Sequence, residues 1–258
     1  MKLPFFGRKS SSSPSRTPDS PPSVSGNGEV HPGHRAVLDH LRRIEATQPL
    51  ARPQLVGRIL FDMVGKMIAN DRGVRMEDLL AILASCGGFS CLSAAFSEVL
   101  GPTPPTGNNL TVVEGKDGHR YFFGDLPNRY LIESEFALLG LALGMAQACG
   151  GTVSLDMAHQ TMRRVANTVG GDEFGKPELP TEHRPGDFPI NYVRDHWPKA
   201  LEALNFYEVP PTLRPAAIGF ALQRAIEAGQ DAIDPTMAAR IVIECAVPMA
   251  KIDPERLV

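Results

Sequence analysis

The chain has 258 residues, 43% of them hydrophobic and 21% charged, with a net charge of −3 at pH 7. That balance suits one large globular domain or two small ones and gives no general attraction to phosphate backbones, so nucleic acid is not expected as a partner. No run of 18 apolar residues marks a transmembrane segment, and the four cysteines (Cys86, Cys91, Cys149 and Cys245) read as free thiols of a reducing compartment, not as a disulfide frame.

Residues 1–30 form a Ser/Pro-rich tail with too little apolar mass to offset its ordering entropy, and disorder is expected there. Its Leu3-Pro4-Phe5-Phe6 run is too short for a secretory core and meets Arg8-Lys9 at once. A main helical domain with a small β insertion is expected over 31–176. Helical spacing of Val37, Leu38, Leu41 and Ile44 predicts a first helix over 33–46. A broader stripe from Leu55 to Ile68 predicts a second over 53–69. The next apolar stretch, from about Met76, is interrupted by Gly87-Gly88, and two short helices are expected to meet there.

After the loop at 101–108, Leu110–Val113 and Tyr121–Phe123 flank Lys116-Asp117-Gly118, a tight-reversal signal. Tyr130-Leu131-Ile132 is expected to add a third strand. Helices follow over 135–149 and from Ser154 to about Thr168. The second of these is expected to turn Leu155, Ala158, Met162 and Val165 to the core and Asp156, His159 and Arg163 to water. A proline-broken stretch makes 177–190 a connection, with His183 in a solvated loop. A C-terminal helical segment over 191–258 carries helices at 191–206, 214–228 and 235–248, packed on the main domain. Asn191, Thr212 and Asp234 are the expected caps, and Trp197 a core anchor. The fold class is α+β, predominantly α-helical with a small antiparallel β-meander or hairpin near the middle.

Gly170-Gly171-Asp172-Glu173-Phe174 is identical to the five-residue signature of the diguanylate cyclases, the GGDEF family. In that family the resemblance implies a hairpin between apolar strands that holds guanine nucleotide and metal. Here the segment before it has helical periodicity and the segment after it carries four prolines, which exclude a central strand. A turn after a helix, with Asp172 and Glu173 in solvent, is expected instead, and the family's roles are not transferred.

Two segments stand out as candidate sites. Asp125, Asn128 and Arg129 fall in a short connection suited to recognition. Gly87, Gly88 and Cys91 lie in a small-residue stretch that permits close approach of a helix or ligand. No metal-ligand spacing and no cofactor motif is present, so neither is expected, and no catalytic residue is assigned. The leading expectation is a protein-recognition or accessory module with a protein partner and a homodimeric assembly, resident in the cytoplasm. The alternatives are a bacterial effector secreted without a cleaved signal, and a small-molecule transferase or hydrolase whose pocket combines both segments.

Overall fold

The structure, a computed structural model, describes residues 2–3, 32–102 and 109–257. Apart from Lys2–Leu3 the tail lies outside the described residues, as do 103–108 of the central loop. In chain order the elements are β1 (Lys2–Leu3), α1 (Pro32–Ile44), α2 (Ala51–Ile68), β2 (Val74–Arg75), α3 (Met76–Val99), β3 (Thr111–Glu114), β4 (Arg120–Phe123), α4 (Asp125–Asn128), α5 (Leu138–Ala148), α6 (Leu155–Asn167), α7 (Pro189–Phe206), α8 (Arg214–Gly229) and α9 (Pro235–Met249). The protein is predominantly helical, with a small antiparallel two-stranded sheet, β3–β4, near its middle. β1 and β2 make a second, minimal antiparallel pair.

The centre is α3, which continues unbroken through Gly87-Gly88 instead of splitting there. From Leu79 to Ser97 it is apolar or small on every face, the pattern of a helix surrounded by others, and α7, α8 and α9 pack around it. A Cβ on Gly88 would stand 2.1 Å from the Ala246 carbonyl oxygen, and one on Gly87 would meet the Leu138 side chain at 2.8 Å. The two glycines therefore allow close packing against α9 and α5, and the dispersion attraction of that close approach offsets their poor helix propensity. The hydroxyls of Ser85 and Ser90 donate back to the helix's own carbonyls at 2.6 Å, which lets polar side chains sit in a dry interior. By length and composition the spans Met76–Val99 and Asp125–Ala148 would each reach across a bilayer; 89% of the first one's apolar window is covered by the protein itself. Ala94, on the small-residue face, is fully buried within the single chain.

The hairpin closes through Asp117-Gly118, with Gly118 at φ +76° and Asp117 Oδ1 accepting from the His119 amide at 3.2 Å. Thr111 pairs with Phe123 and Glu114 with Arg120. Beyond it, 130–132 form no third strand. Arg129–Glu133 is a π-helical turn that buries Tyr130 and Leu131, and the Tyr130 hydroxyl donates to Glu98 of α3. Local β propensity yields here to packing on both sides.

The stripe-based helices stand close to their expected bounds, and Asp234 caps α9 by accepting from the Thr236 and Met237 amides. Asn191 caps nothing, because α7 already begins at Pro189. Thr212 lies within a 3₁₀ turn, Pro211–Leu213. Ser154 precedes α6 without a side-chain cap bond, and Leu155, expected in the core, is 59% exposed. Trp197 is buried, edge-on to Phe89 at 5.2 Å between ring centres.

Candidate functional site

One residue from each of the two segments singled out from sequence, Asn128 and Cys91, neighbours Lys251. Asn128 Oδ1 accepts from its ammonium at 2.6 Å, the Phe123 ring lies 5.5 Å from Nζ, and Cys91 and Glu133 are its electrostatic neighbours. Lys251 is only 3% exposed, and burial lowers its pKa to about 8. Burial likewise raises the Cys91 thiol, which has no exposed surface, and pushes Cys86 up to about 12. Both thiols are thus held in the poorly nucleophilic protonated form. Asp125 is exposed at the start of α4, and Arg129 pairs with Glu98 at 3.1 Å.

A different face carries an open groove. It lies between the C-terminal half of α6, the outer face of α9 and the proline-rich stretch, and encloses about 870 Å³. The stretch from Lys176 to Phe188 is an ordered strap fastened at several points. On one side Glu244, buried on α9, accepts from Thr161 Oγ1 at 2.8 Å, from the Glu178 amide at 2.8 Å and from the Arg164 guanidinium. Arg164 also donates to the Lys176 carbonyl at 3.1 Å. Arg164 is therefore a tie within the protein.

On the other side the strap meets the first turn of α3. Asp78 Oδ1 accepts from the Gly186 amide at 2.6 Å and from the Tyr192 hydroxyl at 2.9 Å, and the same hydroxyl accepts from the Asp187 amide. Burial, then the nearby Asp78 charge, raises the Tyr192 pKa and keeps that hydroxyl a donor. Arg75 donates to the Arg184 carbonyl at 2.6 Å. His183, expected in a solvated loop, donates from Nδ1 to the buried Glu77 carboxylate at 3.1 Å. Acidic residues in a first helical turn also suit the helix dipole.

The ionisable groups of the groove divide into those already paired and those left over. Lys176 pairs with Glu173 at 3.0 Å, and Arg164 lies 3.6 Å from Glu178 besides holding Glu244. Asp187 accepts from the Phe188 amide and from Asn191 at 2.7 Å. Arg184 donates to the Leu179 carbonyl but meets no carboxylate among the described residues. Arg240, exposed on α9, has no polar partner among them. At the groove's end Phe188 is 51% exposed and borders a second hollow of about 190 Å³, lined by Phe174, Ile190 and Met249 with Arg256 at its edge.

The GGDEF pentapeptide forms turns after α6 and no hairpin. Gly170, at φ +68°, lies against the Gly115–Lys116 backbone, where a Cβ would fall 2.4 Å from the Lys116 nitrogen, and Phe174 meets Tyr121 edge-on at 4.7 Å. Asp172 and Glu173 are exposed, and the segment docks the strap's start onto the β-hairpin. Asp156, His159 and Arg163 are exposed along α6. Among the described residues no group of three metal-ligating side chains is assembled. Comparison with protein-family models, with curated proteins and with solved structures returned no match.

Proposed function

We propose that this protein is a recognition module for segments of other proteins, an accessory or regulatory part that works by docking and not by catalysis. The observation that carries this is the groove beneath the Lys176–Phe188 strap. Its wall is fixed by buried polar ties, so it exists before a ligand arrives and little ordering entropy opposes binding. Pro177, Pro180 and Pro185 give that wall a stiff, extended outline, and Phe188 offers an exposed aromatic anchor beside it.

Photocrosslinking tests the proposal. A benzoyl-phenylalanine replaces Phe188 in one full-length variant and Val37 in another. Val37 lies on α1, which docks through His34 on Phe206 at the far end of α7, about 27 Å from Phe188 along the helix axis. Crosslinking in the native cell to a defined protein from position 188 alone is the expected result. Equal capture from both positions, or none from 188, overturns the proposal.

A further inference from the structure

Resting on that docking role, we infer that the groove takes an extended acidic segment carrying an apolar residue beside its carboxylates. Two of the groove's four cations are already neutralised by acids of this chain, Lys176 by Glu173 and Arg164 by Glu244 and Glu178. The remaining two, Arg184 and Arg240, come from opposite walls, the strap and α9, and share the same space with no carboxylate against either among the described residues. Guanidinium groups bind carboxylates through paired, charge-assisted hydrogen bonds, so an incoming Asp or Glu side chain completes what the chain leaves open. Among the described residues Asp187 is the one acid of the groove not matched by a cation; its Oδ1 is taken up by the Phe188 amide and Asn191.

The apolar part of the ligand follows from continuity. Lys176 and Phe188 line both the groove and the smaller hollow, so a chain lying on the two guanidiniums runs past Phe188 towards Phe174, Ile190 and Met249. In an extended segment neighbouring side chains point to opposite sides, so carboxylate and apolar residues alternate along it. The protein's own tail fits poorly. Residues 1–30 hold four cations (Lys2, Arg8, Lys9 and Arg16) against two acids (Asp19 and Glu29). The ligand is therefore a segment of another protein.

The test is fluorescence anisotropy of the full-length protein with labelled peptides of about ten residues that alternate Asp with Leu, Ser with Leu, or Lys with Leu. The Asp-Leu peptide is expected to bind at least about tenfold more tightly than either of the others, and the advantage to shrink with added salt. Arg240→Glu is expected to remove most of the advantage; because Arg240 makes no polar contact among the described residues, no tie of the fold is lost with it. Arg184→Ser is expected to weaken binding similarly, with its melting curve read alongside because Arg184 also holds Leu179. Equal binding of the Ser-Leu peptide, or full binding by Arg240→Glu, overturns the acidic assignment and leaves the docking role standing. Failure of all three peptides while the crosslink from position 188 persists also overturns the assignment alone. Loss of that crosslink overturns the docking role itself.

Discussion

The middle of α3 and the proline strap are held in place by opposite means. Around Gly87–Cys91 the contact is dry. Glycine, alanine and serine let helices approach until backbone meets side chain, and the few hydroxyls are satisfied within the helix. Along Lys176–Phe188 there is no regular ladder, and order comes from Glu244, Asp78, Glu77 and Tyr192, each reaching from a helix to hold strap backbone or a strap side chain. The first arrangement suits a rigid centre. The second keeps an irregular segment fixed on the surface while leaving side chains such as Arg184 and Phe188 available outward.

Glu244→Ala should break the polar side most severely. It strips the acceptor from Thr161, Arg164 and the Glu178 amide together, and truncating one partner of a buried charge pair costs about 3 to 5 kcal/mol. Urea unfolding gives the loss, and faster proteolysis within the strap is the expected companion.

Gly88→Ala should break the dry side. Its methyl would collide with the Ala246 backbone, which has nowhere to move, and a loss of about 3 kcal/mol in urea unfolding is expected. Gly87→Ala meets side chains and not backbone, the Leu138 methyls and the Ile218 Cγ2, and gains helix propensity, so it should stay within about 1 kcal/mol of the wild type.

Lys251 sharpens the contrast, since it places a charge on the dry side. Its folded pKa, about 8, lies below the ordinary 10.5, so the folded protein binds this proton less tightly than the unfolded chain does. The burial cost is fully present at pH 7 and is relieved as pH climbs from about 8 towards 10.5. Lys251→Met should therefore stabilise the protein at pH 7, by on the order of 2 kcal/mol after loss of the Asn128 hydrogen bond, and the gain should fade across that window. The difference between the two proteins cancels Cys86 and Cys245, whose raised values lower stability above about pH 9 in both; Cys91, which faces Lys251, loses that neighbouring charge in the variant. A small effect is also expected of Tyr192→Phe, which removes one bridging hydroxyl and should cost about 1 kcal/mol.

Much of this fold is legible along the chain. The stripe from Leu55 to Ile68 and the Asp234-Pro235 cap mark their helices closely because both are local signals. Gly87-Gly88 misleads because the force that keeps α3 continuous is supplied by α9, far along the chain. Tyr130–Ile132 misleads because strand propensity mostly reports a half-buried setting, and here α3 and α5 supply that setting to a helical turn. The small-residue segment and the Asp125–Arg129 connection could be singled out from their own residues. The groove could not, since the residues that build it are separated by 66 positions for Glu178 and Glu244 and by 108 for Gly186 and Asp78. A proline-rich stretch reads as a linker until its distant partners are in view.

Amide hydrogen exchange in the full-length protein tests most directly whether the groove is preformed. The Glu178, Gly186 and Asp187 amides, which donate to Glu244, Asp78 and Tyr192, should exchange far more slowly than in an unstructured peptide. In Glu244→Ala the Glu178 amide should lose its protection while the amides of Gly87–Cys91 keep theirs. Exchange of all three strap amides at the unstructured rate in the wild-type protein would contradict a preformed groove.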